Sequence, residues 1–247
     1  MESSGLAVLI NYIVKYFPSS EKIRPASRRA NCDRVGGAHP ARGPMALRDF
    51  IKPRLQDWMM GFMDEMRPAT VGLAEGEVLE VGFGTGRNLR LYPSAVKSVT
   101  GLDPMVTEGV AAVDERVGEA RFPVIRTALP ADRGLPFDAG RFDTVITTWT
   151  LCSIADAAAA LREMRRVLKP GGRYLFIEHG KAERESTARW QDRLDPLWAL
   201  ISDGCHINRP MDRIVADAGF ELTSLDRFRG KGPGLIAQMY RGVATRS

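Results

Sequence analysis

The sequence predicts an α/β fold: a mostly parallel seven-stranded sheet with helices on both faces and a C-terminal antiparallel hairpin. Three observations predict it. From Glu77 onward, short apolar runs alternate with amphipathic helical stretches, the pattern of a parallel sheet covered on both faces. The first apolar run enters three alternating glycines, Gly82, Gly84 and Gly86, and a helical stretch follows. Near the end, two strand-like runs flank Gly230-Lys231-Gly232-Pro233-Gly234, as a hairpin connection would.

Taken in order, residues 1–44 stand apart. They hold 7 Lys/Arg against 3 Asp/Glu, whereas the other 203 residues hold 28 against 27. The net charge of +5 therefore belongs mostly to this arm. The body carries no basic stripe interleaved with aromatics, which argues against nucleic acid as a partner. Leu6–Phe17 is a 12-residue apolar run, short of the ~18–20 residues that span a bilayer. It lacks the basic flank and cleavage site of a signal peptide. Pro18–Pro44 reads as a linker. Two readings fit the arm: a dispensable tail, or a helix docking on a membrane surface or a partner. Cys32, Cys152 and Cys205 are too few for a disulfide scaffold and point to a reduced, cytoplasmic compartment.

A folded domain is expected over 45–247. Phe50, Leu55, Trp58, Met59, Phe62, Met63 and Met66 recur at helical spacing, either as core or as a lid. Strands are expected at 78–81, 96–102, 124–128, 142–148 and 173–178, with helices at 87–91, 105–120 and 155–168 between them. Lys169-Pro170-Gly171-Gly172 stops the last of these helices, whose end is basic as the helix dipole prefers. A helix follows at 211–218, and 220–228 with 235–240 form the hairpin. Trp190, Leu194, Leu197, Trp198 and Ile201 recur at roughly helical spacing within 190–209. That insertion reads as a cap over a pocket, or as a surface helix.

The segment Glu80-Val81-Gly82-Phe83-Gly84-Thr85-Gly86 carries the chemistry. Glycines here let a ligand approach the backbone and leave amide groups to bind it. The dinucleotide fingerprint is G-x-G-x-x-G; here the third glycine comes one place early and Arg87 stands where that motif wants glycine. Glu80 suits a ligand with an ammonium group and repels a phosphate. S-adenosylmethionine (SAM) has an ammonium, a sulfonium and no phosphate. Asp103, 21 residues after Gly82, can accept hydrogen bonds from both hydroxyls of a ribose.

Glu80-x-Gly82-x-Gly84-Thr85-Gly86, Asp103, Leu135-Pro136-Phe137, Phe142-Asp143 and Arg166–Gly172 together resemble the class I SAM-dependent methyltransferases, in the branch that includes quinone-biosynthesis enzymes. The resemblance implies a Rossmann-like sheet and SAM as cofactor. It implies that Glu80 steers the ammonium, that Gly82, Phe83, Gly84 and Gly86 line the methionine and ribose, and that Asp103 holds the ribose. Pro104 and Met105 would pack on the adenine, Asp132 would meet its amino edge, and Thr148 would close the floor under the sulfonium. Leu151-Cys152-Ser153, Glu178-His179, Trp190-Gln191, Pro196-x-Trp198 and Asp203-Gly204-Cys205 are similar to the membrane-associated alkyl-thiol methyltransferases. Those carry a longer apolar N-terminal anchor than Leu6–Phe17, and the loop 131–134 is one residue longer here than their usual pattern.

On the acceptor side the candidates are His179, His206 and Cys152. His179 follows the fifth strand and Cys152 the fourth, at the carboxyl edge where parallel sheets bind ligands. A thiol acceptor needs a base or selective binding of its thiolate, and His179 at a strand end is the first choice for that base. Each has a plainer reading: His179 as a loop histidine on backbone, Cys152 as a small buried hydrophobe. Adjacent Cys205 and His206, with no C-x-x-C pair, give no metal site. The expected activity is methyl transfer from SAM to a small apolar acceptor, a thiol sulfur first. The alternatives are C- or O-methylation of a quinone precursor, N-methylation of a lipid amine, or SAM binding without catalysis.

Overall fold

In the computed structural model the described residues are 61–105, 109–202, 204–230 and 234–246. The arm 1–44, its apolar run and most of the Met-rich stretch before residue 61 lie outside them. Among the described residues no helix is long and apolar enough to cross a membrane.

Seven strands form one sheet: β1 (Gly76–Val81), β2 (Val96–Asp103), β3 (Val124–Ala128), β4 (Phe142–Thr148), β5 (Leu168–His179), β6 (Glu221–Arg229) and β7 (Gln238–Thr245). Their order is β3-β2-β1-β4-β5-β7-β6. The first five pair in parallel, and β7 runs antiparallel to both β5 and β6. This is the predicted Rossmann-like sheet with its C-terminal hairpin. Because β1 lies between β2 and β4, the chain reverses direction across the sheet at β1. That switch point opens a crevice at its carboxyl end, where the glycine turn sits.

The helices are α1 (Pro68–Val71), α2 (Ala111–Gly118), α3 (Ala157–Val167), α4 (Glu185–Ile201) and α5 (Met211–Asp217). Two apolar clusters cover the sheet. One gathers Leu79, Val145, Leu161, Met164, Tyr174 and Phe176, and the other Val78, Phe83, Leu89, Val99, Val113 and Leu175. Neighbouring residues of one strand, such as Val78 and Leu79, thus face opposite clusters. That explains why the strands read as continuous apolar runs rather than alternating ones.

Several expected boundaries move. The helix expected at 87–91 is only a 3₁₀ turn, Leu89–Leu91, because Pro93 holds Tyr92 extended (ψ 132°). The helix expected at 105–120 begins only at Ala111. Asp103 Oδ1 takes the Met105 amide, so the chain turns locally after β2, and Gly109 sits at φ 83°. β5 extends back to Leu168, directly after α3, because Leu168 already pairs with Phe142. The hairpin strands lie one to five residues later than expected.

Helix α4 is the largest correction. The apolar stripe expected to face a pocket does not all point inward: Trp190 and Leu197 are 55% and 59% exposed. Gln191 and Asp195 turn inward instead. Gln191 donates to the carbonyls of Gly180 and Leu235 and accepts from the Ala182 amide. Buried backbone groups in connecting segments need partners, and these two polar side chains supply them. Apolar periodicity could not anticipate that.

Candidate active site

The three glycines after β1 all adopt positive φ, at 80°, 52° and 74°. Gly82 has a steric reason as well. A Cβ there would lie 1.9 Å from Thr150 Oγ1, so no other residue fits without moving the loop after β4. The turn is closed by Asp103: its Oδ2 accepts from the Gly84 amide at 2.8 Å and its Oδ1 from the Met105 amide at 2.9 Å. Beside it lies a cleft lined by Phe83, Gly101, Asp103, Met105, Arg126, Thr127 and Ala128. Its volume of about 10 Å³ is the space of a single water.

Glu80 is placed differently from the simple expectation of a carboxylate facing the ligand. It is fully buried, 1% exposed. Tyr92 Oη donates to its Oε2 and Asn88 Nδ2 to its Oε1, both at 2.8 Å. Burial pushes its pKa up to about 7, against the pull of the Tyr92 bond, the Arg67 cation and the Asn88 bond. Asn88 also donates to Thr148 Oγ1. Thr148 is thus joined to Glu80 through one amide, as a floor residue would be.

Two residues of this site escaped the sequence. Arg67 is buried, with Nη1 donating to Asn88 Oδ1 and Thr148 Oγ1 and Nε donating to Asp64 Oδ1. Its guanidinium lies 4.9 Å over the ring of Trp149. Trp149, directly after β4, holds φ 52°, alone among the described non-glycine residues in positive φ. That conformation is costly for a bulky side chain and collects at ligand sites. An arginine in a stretch read as core or lid, and a tryptophan beside a predicted floor residue, carry no motif of their own. Asp132 lies in the 3₁₀ turn Ala131–Arg133, where it accepts from the Asp156 amide at 3.4 Å.

The donor set fits SAM. A carboxylate stands at Asp103 against the glycine turn, and a buried acid behind that turn disfavours phosphate. The buried Arg67 cation gives a partner of the right sign for an amino-acid carboxylate.

The acceptor-side residues fall into two groups. His179 is 9% exposed, and its Nε2 lies 3.0 Å from Cys205 Sγ. Cys205 Sγ lies 3.7 Å from Cys152 Sγ. The Cys152 thiol contact and burial push the Cys205 thiol well above its ordinary range. His206 is separate: Nδ1 sits 2.7 Å from Asp195 Oδ2, and its side chain is 36% exposed. Asp195 Oδ1 also accepts from the Ile207 amide, which locks the carboxylate. Reasoning from sequence ranked His179 as the better oriented histidine. The structure orients His206 through Asp195 and buries His179 against sulfur. A shallow, open depression beside α4 is lined by Arg184, Ser186, Thr187, Trp190, Gly234 and Leu235, none of them an acceptor-side candidate.

Comparison with known proteins agrees with this fold. Residues 79–176 match the family model described as a methyltransferase domain. The chain is 34% identical over 154 residues to human thiol S-methyltransferase TMT1A, covering 62% of this chain and 63% of that protein. The chain thus spans less than two thirds of that relative's length. It is 30% identical over 180 residues to the phosphatidylethanolamine N-methyltransferase of Cereibacter sphaeroides, covering 71% of this chain and 87% of that protein. The fold matches a solved SAM-dependent methyltransferase of Methanosarcina mazei with a TM-score of 0.56 at 19% identity, covering 71% and 94% of the two chains.

Proposed function

The chain belongs to the SAM-dependent methyltransferases, and from that premise we propose that its acceptor is a small apolar thiol, methylated on sulfur. Bound SAM supplies an electrophilic methyl group on its sulfonium. Asp103 would hold its ribose, the glycine turn would line the methionine, and the buried Arg67 cation would pair with the carboxylate of the amino-acid end. The residues beyond the cofactor must orient the acceptor and take its proton. In-line transfer needs no protein nucleophile, so positioning supplies most of the acceleration.

The observation that carries the thiol reading is the His206–Asp195 pair. A carboxylate accepts, which fixes the proton on Nδ1 and leaves Nε2 as a base. A thiol of pKa ~8.5 arrives mostly protonated at neutral pH and needs such a base. The name of the human relative supports sulfur. The Cereibacter relative supports a lipid amine as the second reading, and a quinone precursor is the third. The free thiols of Cys152 and Cys205 suit a reducing, cytoplasmic compartment.

His206→Ala is expected to lower turnover on an alkyl thiol at least ~100-fold while SAM affinity persists. Asp195→Asn should fall between this variant and the native enzyme. With an aromatic thiol already ionised at the assay pH, both defects shrink. An equal defect on high- and low-pKa thiols removes His206 from the role of base. A thiol panel that stays inert while phosphatidylethanolamine or a phenolic quinone precursor is methylated overturns the sulfur assignment.

A further inference from the structure

Spacing along the chain predicts no metal site, yet the fold brings Cys152, His179 and Cys205 together from three distant segments. Their ligand atoms, two Sγ and one imidazole nitrogen, all lie within 4.8 Å of one another. Cys152 follows β4, His179 ends β5, and Cys205 lies in the loop after α4. The mechanism above uses none of the three.

We propose that Cys152, His179 and Cys205 bind a soft divalent cation of the zinc class. Tetrahedral zinc with Zn–S of about 2.3 Å requires a sulfur–sulfur edge of about 3.8 Å, and the two Sγ atoms already stand 3.7 Å apart. The Cys205–His179 edge, at 3.0 Å, must open by about half an ångström to reach the S–N edge of the same tetrahedron. The remaining Cys152–His179 edge, which spans up to 4.8 Å, must close by as much as about 1.2 Å toward the same value, so the imidazole and the thiols must all rotate. On binding, both thiols become thiolates and their two protons go to solvent. Two thiolates, a neutral imidazole and a dication sum to zero, so burial adds no uncompensated charge. The Arg209 cation lies near both sulfurs, and its Nη1 donates to the Leu151 carbonyl.

Nε2 is the His179 ring nitrogen that faces sulfur and is the ligand atom; Nδ1 lies buried without a hydrogen-bond partner among the described residues. Three protein ligands leave a fourth position, the pattern of zinc sites that accept an exogenous ligand.

The test uses the full chain, purified under a non-coordinating reductant, stripped with a chelator and titrated with Co²⁺ and then Zn²⁺. No SAM or acceptor is present, so the outcome is independent of the proposed activity. One cobalt per chain is expected, with a thiolate-to-cobalt charge-transfer band that zinc abolishes. Cys152→Ser and Cys205→Ser should each weaken zinc binding at least ~100-fold, and Cys32→Ser should leave it unchanged. SAM binding by calorimetry reports whether each variant is folded. A second measurement needs no variant: zinc should protect Cys152 and Cys205, but not Cys32, from alkylation mapped by mass spectrometry. Absence of the thiolate band, or zinc protecting neither Cys152 nor Cys205, overturns the proposal.

Discussion

Replacing Glu80 with Gln tests the buried polar centre behind the glycine turn. Glu80 is fully buried and titrates near pH 7 in the folded chain, because burial disfavours its charged form. In the unfolded chain it titrates near 4.5. Its folded pKa is therefore raised. The unfolded state loses this proton first as pH rises, so the folded state is penalised progressively from about pH 4.5 and fully above about pH 7. The difference of roughly 2.5 units corresponds to about 3 kcal/mol. Gln keeps the shape of the side chain. Its oxygen can accept from Asn88 Nδ2, and its amide can donate to Tyr92 Oη, since a phenol also accepts. The assay is chemical denaturation of both proteins from pH 4.5 to 8.5. The native chain should lose stability relative to Glu80→Gln across this window, with the two closest at the acid end and separated by a few kcal/mol at pH 8. All other titrating groups cancel in that difference. A difference that stays flat with pH would show that Glu80 ionises in the folded chain as it does in the unfolded one, and would refute the burial argument.

Other predictions follow from the same cradle. Asp103→Ala removes an acceptor whose charge-assisted bonds are each worth ~1.5–3 kcal/mol, so SAM affinity measured by calorimetry should fall at least ~10-fold in a protein that still folds. Unchanged affinity would separate Asp103 from the ribose. Gly82→Ala places a Cβ against Thr150 at a positive φ. It should destabilise the domain by about 2 kcal/mol or more, seen as a lower Tm. Paired with Thr150→Gly, part of that loss should return, and no recovery would locate the strain elsewhere.

Some of this protein was legible before any coordinates. Parallel strands buried on both faces must be apolar throughout, so β1, β2, β4 and β5 announce themselves in the sequence. The glycine turn is equally legible, because positive φ favours glycine and only glycine tolerates the close approach of Thr150 at Gly82. Asp103 follows from its strand end together with its spacing from the glycine turn. Local conformation and burial are imposed residue by residue, so they leave a periodic or positional trace.

What the tertiary structure decided concerns groups that meet across long separations. Arg67 reaches Thr148 and Asn88, and nothing in its neighbourhood marks it as a buried cation. Helix α4 turns Gln191 and Asp195 inward because backbone groups near Gly180, Leu235 and Ile207 need partners, a demand invisible to hydrophobic periodicity. That rotation sets Asp195 on His206 and gives the acceptor side its oriented histidine. His179 meets Cys205 rather than solvent because β5 ends beneath the loop that follows α4. The pairing of Cys152 with Cys205 arises in the same way, from two loops converging at one edge of the sheet. Spacing along the chain records what each residue's own backbone must do; which side chains face one another is settled only when the layers pack.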